Sequence, residues 1–425
     1  MNHLDPKLAL AGGTPVIRNS FIPINPIQKS EIDAANKVLN SGNLSGFLGA
    51  RSPQFLGGPQ VRNFEEIATN LFRSKNCISF NSWTSGLESA VAALPELELG
   101  SEIITSSWTM SATATAILIN GYVPVFADID PNTFCIDPKS VESLISSKTR
   151  AILTVDIFGR SSDYSSLRAI CEKYDLWLIG DSAQSPGTLY EGQHVATLSD
   201  IGGYSLNYHK HLHSGEGGFA LTESNLLAER LQLIRNHAEV VVEKGSPNQD
   251  LIGHNFRLGE IEASIAGTQL NRLNDLIEPK ISSAELLTDS LVGVDSIILP
   301  KKLGYHENVY YIYPIVLREP SSQLRNLFCS ALIAEGVPAV VTNYQNIHRL
   351  PIYDSIRTRS NTRLSHLNFS DNAISTYGAG TLPVAERYYN ESFLGIHMCS
   401  FDFSKEEIAL IADAIRKVAQ GLNGQ

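Results

Sequence analysis

From Cys77 to Ser205, short apolar runs alternate with stretches in which apolar positions recur every three or four residues. The runs predict strands at CISF (77–80), EIIT (102–105), VPVFADI (123–129), AILTVDIF (151–158), LWLIGD (176–181) and GGYSLN (202–207). Between them, TSGLESAVAALPEL (84–97), ATATAILIN (112–120) and DYSSLRAICEKYD (163–175) predict helices, the second stopped by Gly121. Such alternation predicts an α/β fold with a mostly parallel central sheet covered by helices on both faces.

The pattern changes after residue 258. LGEIEASIAGTQLNRLNDLI (258–277) carries helical spacing throughout and predicts one long helix leaving the first domain. VYYIYPIVL (309–317) reads as a strand and SSQLRNLFCSALIAEG (321–336) as a helix ended by Gly336. Polar residues 358–376 read as a loop. SKEEIALIADAIRKVAQ (404–420) opens with a Ser404–Glu407 capping box and continues with an Ile408, Ile411, Ile415, Val418 stripe. The expected division is a large domain over residues 1–280, including an N-terminal arm, and a smaller α+β domain over 281–425. The 425-residue length suits two or three domains.

Composition narrows the partners. Net charge is −11 with no long basic run, which speaks against nucleic acid. No apolar run is long enough to span a membrane, and MNHLDPKLALAGGTP lacks a signal-peptide layout. Five scattered cysteines without a CxxC pattern suit a reducing, cytoplasmic setting, with the cysteines as small core residues.

Ligands of an open parallel sheet sit beyond the carboxyl ends of its strands, and three candidate features fall there. NSWTSG (81–86) links a strand to a helix and offers hydroxyls and backbone N–H groups to a phosphate. Asp181 ends an apolar strand. Lys210 lies in SLNYHKHLHSGEGG (205–218), after a strand and before a glycine-rich turn, where a lysine of lowered pKa can form a Schiff base. Each has a plainer reading: Ser and Thr cap ordinary helices, a strand-end aspartate caps turns, and most lysines are solvated. Together, a phosphate site, a carboxylate for a pyridinium nitrogen and an amine for an aldehyde match the needs of pyridoxal 5′-phosphate. His209, His211 and His213 share one face of an extended segment, which raises a metal site as the rival. Zinc ligands, however, usually converge from more than one element or follow a recognised spacing, so no metal is expected.

The motifs PELELGSEIITSSWTMSATATAILINGYVPVFADID, VDIFGRSSD, IGDSAQSPG, YSLNYHKHLHSGEGG and GHNFRLGEIEASIAGTQLNRL resemble the DegT-type (StrS-like) sugar aminotransferases over nearly the whole chain. These are fold-type I pyridoxal-phosphate enzymes. The resemblance implies that Lys210 is the Schiff-base lysine, since Ser205 and Glu216 fix its register. It further implies that Asp181 pairs with the pyridinium nitrogen, Gln184 contacts the ring hydroxyl and Trp108 stacks on the ring. Ser82, Trp83, Thr84 and Ser205 would bind the phosphate. Asn255 would reach the phosphate of a second subunit, making a homodimer with shared sites. Arg257, Tyr344 and His348, with Arg160 and Arg349, are the implied contacts to an acidic nucleotide-sugar substrate. The implied reaction moves an amino group from an amino acid, L-glutamate first, to a keto sugar. A keto-cyclitol acceptor and a sugar dehydratase are the alternatives, and Lys210 speaks against the second, because a dehydratase branch carries histidine there. Trp83, Asp156 and Pro186 depart from the family pattern, which has glycine at the first position and histidine at the other two.

Overall fold

The computed structural model describes residues 5–304, 306–342, 345–360 and 363–422. Its central sheet has seven strands: β1 Asn76–Phe80, β2 Glu102–Ser106, β3 Val123–Ala127, β4 Thr149–Val155, β5 Trp177–Asp181, β6 Ile201–Ser205 and β7 Gly218–Thr222. They lie in the order β1-β7-β6-β5-β4-β2-β3. The run from β3 through β2, β4 and β5 to β6 is parallel. β7 is antiparallel to both of its neighbours. The β6–β7 link, residues 206–217, contains no crossover helix, so the chain turns straight back. Lys210 sits in that turn, beyond the carboxyl end of β6.

Alternate residues of the parallel strands feed cores on opposite faces. Ile103, Leu153 and Ile179 join one core, and Ile104, Ile152 and Leu178 the other. This two-sided burial is why the strands read as continuous apolar runs rather than as polar–apolar alternation. Register aligns Val155 with Asp181 and Asp181 with Gly203, in one row across the carboxyl ends of β4, β5 and β6.

A second, antiparallel sheet contains β8 Ile297–Ile298, β9 Ile312–Leu317, β10 Val340–Val341 and β11 Phe393–His397, ordered β8-β9-β11-β10. Helices Ser322–Ala334 and Lys405–Leu422 share its core. The expected capping box is present: Ser404 N–H donates to Glu407 Oε2 at 2.8 Å and Glu407 N–H to Ser404 Oγ at 3.2 Å. Leu8 and Ile17 of the N-terminal arm enter this same core. The buried Glu335 carboxylate ties the arm down by accepting from the Ala9 and Val16 N–H groups and from Lys417 Nζ.

Two segments differ from the sequence reading. The long helix expected over 258–277 is two helices, Glu260–Leu270 and Leu273–Ser290, broken at Asn271–Arg272. The Arg272 side chain bonds the Pro26 carbonyl and Glu31 Oε1, so a tertiary tie sits at the break. The polar stretch 358–376 contains a short helix, Asp371–Ser375, capped by Ser370. It lies against β3: Tyr377 Oη donates to the Pro124 carbonyl at 2.6 Å, and the Phe126 N–H donates to Thr376 Oγ1 at 3.1 Å. Ile347, Tyr353, Leu367 and Tyr377 complete the core over this edge strand, which covers an otherwise open sheet edge.

Candidate active site

A cavity of roughly 200 Å³ opens at the carboxyl ends of β4, β5 and β6. Ser82, Trp83, Thr84, Asp181, Gln184, Ser205 and Lys210 all line it, so the fold brings together seven of the residues singled out in the sequence. A wider hollow of about 470 Å³, lined by Glu96, Arg150, Arg168 and Trp177, lies at the amino ends of the strands, away from this constellation.

The floor of the cavity is the N-terminus of helix Trp83–Ala93. Ser82 is its N-cap, with Oγ accepting the Ser85 N–H at 3.0 Å. Thr84 is exposed on the first turn. Gly218 makes the approach possible, since a Cβ there would lie 2.5 Å from the Trp83 nitrogen. Hydroxyls and free N–H groups at a helix N-terminus form an anion site.

Asp181 is buried at the end of β5. Its Oδ1 accepts from Trp83 Nε1 at 2.9 Å and from the Ala183 N–H at 3.3 Å, and its Oδ2 from Thr113 Oγ1 at 2.7 Å. Burial pushes its pKa up, while the Thr113 and Trp83 hydrogen bonds pull it down. An ionised carboxylate in that setting favours a cationic partner.

Lys210 Nζ stands 4.4 Å from the centre of the Tyr311 ring. Burial lowers its pKa from 10.5 to about 8, against the opposing pull of Asp181 and Cys399. Such an amine is a nucleophile near neutral pH. Burial is also the first cause of the low His209 value, about 4, with Lys210 and His213 adding to it. His211 Nε2 meets the Val309 carbonyl at 2.9 Å, and burial holds its pKa at about 3. The three histidines therefore stand as neutral groups around the lysine loop. No group of three potential ligands capable of holding a metal ion occurs among the described residues.

Several expected positions fall elsewhere. Trp108 does not line the cavity: it is fully buried, with ring centres of Phe134, Phe158, Tyr388 and Phe393 within 4.9–6.1 Å. Met110, two residues on and 63% exposed, lines the cavity instead. The reversal follows from the Ser106–Met110 turn, which carries Trp108 inward before helix Ser111–Ile119 begins. His348 is also fully buried, with Nε2 3.1 Å from Glu386 Oε1. Arg257 bonds Asn236 Oδ1 through both Nε and a terminal nitrogen, Arg160 is buried with one nitrogen on the Lys301 carbonyl, and Arg349 bonds Asn390. None of these four lines the cavity within this chain. Asn255 is exposed and outside it. Tyr344 lies outside the described residues. Asp156 lies below the site, accepting from the Ser162 N–H, Tyr164 Oη and Ser182 Oγ, and Pro186 is buried.

Sequence reasoning missed Thr113, the second side-chain donor to Asp181. Its place one helical turn beyond Thr109, with which it shares a 2.9 Å hydrogen bond, gave only the signal of a threonine-rich first turn. Val155 and Ala183 were also missed; they line the cavity beside Asp181.

An open α/β sheet brings an amine, a carboxylate and a helix N-terminus to one cavity, and the relatives of the chain place it in the aminotransferase class. More particularly, the DegT/DnrJ/EryC1/StrS aminotransferase family model matches residues 28–399, and the chain belongs to that family. An L-glutamine:2-deoxy-scyllo-inosose aminotransferase of Streptomyces kanamyceticus is 30% identical over 432 residues, covering 97% of each chain. GDP-perosamine synthase of Vibrio cholerae is 27% identical over 342 residues, covering 80% of this chain and 90% of that one. Among solved structures, Helicobacter pylori PseC, an aminotransferase of pseudoaminic acid biosynthesis, is similar with a TM-score of 0.78 at 24% identity, covering 95% of this chain and 100% of that one. That likeness concerns the fold.

The family is pyridoxal-phosphate dependent. The residues present suit that group. The helix N-terminus at Ser82–Thr84 would accept a phosphate, and Lys210 would offer an amine to an aldehyde. The Asp181 carboxylate, with about four acceptor positions and three donors, keeps one position for a ring nitrogen.

Proposed function

We propose that this protein binds pyridoxal 5′-phosphate at Lys210 and transfers an amino group from an amino acid to a keto sugar or keto-cyclitol. The observation that carries this reading is the convergence of Lys210, Asp181 and the Ser82–Thr84 helix start on one cavity. The cofactor supplies an electron sink for the carbon that gains or loses the amine. Asp181 balances positive charge on the ring nitrogen, and Gln184 contacts the ring hydroxyl. Ser82, Thr84, Ser205 and the Trp83 backbone N–H hold the phosphate. Met110, which lines the cavity, takes the covering role that the resemblance implied for Trp108. Lys210 Nζ would hold the group and would take a proton from, or return it to, the donor's α-carbon as general base and general acid.

For the acceptor, one observation favours a keto-cyclitol with L-glutamine as donor. The Streptomyces kanamyceticus 2-deoxy-scyllo-inosose enzyme aligns over 97% of both chains, whereas the nucleotide-sugar relative GDP-perosamine synthase covers 80% of this one. A nucleotide-linked keto sugar with L-glutamate is the second reading. By the family resemblance, the active unit would be a homodimer with Asn255 reaching the partner's cavity; its exposure outside its own chain's site leaves it available for that role. A reducing cytoplasm suits the five free cysteines.

Borohydride reduction of the protein with bound pyridoxal phosphate, followed by digestion, tests the central assignment. The tagged peptide should contain Lys210, and a label on another lysine would sink the reading. A panel of keto-cyclitols and keto sugars, each with L-glutamine or L-glutamate, then separates the acceptors.

A further inference from the structure

Trp83 stands one residue into a phosphate-binding turn, yet its side chain leaves that turn. Its indole passes inward, 4% exposed, and joins the core on the face of the sheet that carries Ile103, Leu153 and Ile179. Two glycines make the slot. A Cβ on Gly203 would lie 2.2 Å from the indole Cη2, and one on Gly86 would lie 2.4 Å from its Cε3. Any side chain at either position would push the ring out. The slot ends at Asp181, where the indole N–H meets Oδ1 at 2.9 Å.

A tryptophan that only filled space would need any one acceptor for its N–H. This one reaches Asp181, the buried carboxylate of the cavity, and not the exposed Glu216 that also lines it, and Thr113 reaches the other oxygen of the same group at 2.7 Å. The Ala183 N–H adds a third, longer donor on Oδ1. A carboxylate accepts about four hydrogen bonds, so the three donors fix the plane of the group and leave one acceptor position.

We propose that Trp83 is a positioning residue that holds Asp181 ionised and oriented toward the cofactor ring, through its indole N–H in the slot cleared by Gly86 and Gly203. The proposal rests on the cofactor assignment above, but the hydrogen bond itself does not need the cofactor. Burial raises the proton affinity of Asp181, and each donor lowers it. Without the indole N–H the carboxylate should protonate at a higher pH and rotate more freely.

The chain contains three tryptophans, so an indole ¹H–¹⁵N spectrum of the full-length protein has three side-chain signals. Trp83→Phe identifies the Trp83 signal. In protein without added cofactor that signal should titrate with Asp181 and lose its pH dependence in Asp181→Asn, while Trp177, at the far end of β5, stays in place. In the cofactor-loaded protein, the acid limb of kcat/KM for the amino-donor half-reaction should move up by about one pH unit in Trp83→Phe, the scale of one charge-assisted hydrogen bond. Thr113→Val removes the donor on the other oxygen without touching the slot and should move the limb the same way. An indole signal indifferent to Asp181→Asn, or an unmoved acid limb in both variants, overturns the proposal and leaves Trp83 as packing. Failure of the Lys210 labelling experiment with a titrating indole signal would instead overturn the cofactor assignment alone.

Discussion

Replacing Trp108 by alanine and Met110 by alanine should have opposite consequences, although the two residues are separated by one position. Trp108 is fully buried among four aromatic rings. Truncating a buried Trp or Phe to alanine costs about 3–5 kcal/mol, from lost burial and the cavity left behind. Aromatic pairs add about 0.5–1.5 kcal/mol each, so this site belongs at the upper end of that range. Met110 is 63% exposed, and a surface truncation stays within about 0.5 kcal/mol. The residue nevertheless lines the cavity. A sulfur–aromatic contact is worth roughly 0.3–1.5 kcal/mol, equivalent to a two- to tenfold loss of cofactor affinity. Urea unfolding followed by circular dichroism measures the first effect, and titration with pyridoxal phosphate measures the second. Trp108→Ala should unfold at clearly lower urea, while Met110→Ala should unfold like the wild type and bind cofactor more weakly. The reverse pattern, with a stable Trp108→Ala protein that has lost cofactor affinity, would refute the placement of both residues.

Lys210→Ala should leave the unfolding midpoint close to that of the wild type and abolish turnover, read by single-turnover absorbance with either amino donor. Asp181→Asn should keep the fold, because an amide still accepts from Trp83 and meets the rotatable Thr113 hydroxyl, while both half-reactions slow by about 10²–10³-fold. That loss corresponds to removing a unit charge worth about 4 kcal/mol at 4 Å in a medium of effective dielectric constant 20. Stability without cofactor should rise between about pH 8 and pH 10.5, because Lys210 releases its proton at about 8 when folded and near 10.5 when unfolded. In that window the unfolded chain binds more protons, so the cost of burying the ammonium is present below pH 8 and relieved above it. Lys210→Met should remove this part of the pH dependence, and identical profiles for the two proteins would contradict a buried amine.

Much of the fold was legible because it follows local rules. The strands buried on both faces read as apolar runs, the helices between them read by their spacing, and the strand-end position of Asp181 followed from the run LWLIGD. The Ser205–Lys210–Glu216 spacing pointed to the lysine through the family resemblance, whereas its place in the turn between β6 and β7, residues 206–217, belongs to the packed fold. Side-chain direction was not legible. Whether Trp108 or Met110 faces the cavity depends on a turn of a few residues, and periodicity says nothing there. The Trp83 indole could be traced to Asp181 only once β5, β6 and helix Trp83–Ala93 were packed, since glycines at 86 and 203 mean little until they clear the same ring. His348 read as a substrate contact from its loop, yet the packing of Ile347, Tyr353, Leu367 and Tyr377 over β3 accompanies its burial against Glu386. Sequence by itself therefore determined the strands and intervening helices of the central sheet and which chemical groups are available, because backbone propensity and burial pattern are local, whereas the break at Asn271–Arg272 and the helix Asp371–Ser375 were set by tertiary contacts. The tertiary structure decided which of those groups share a cavity, because that depends on contacts between residues far apart in the chain.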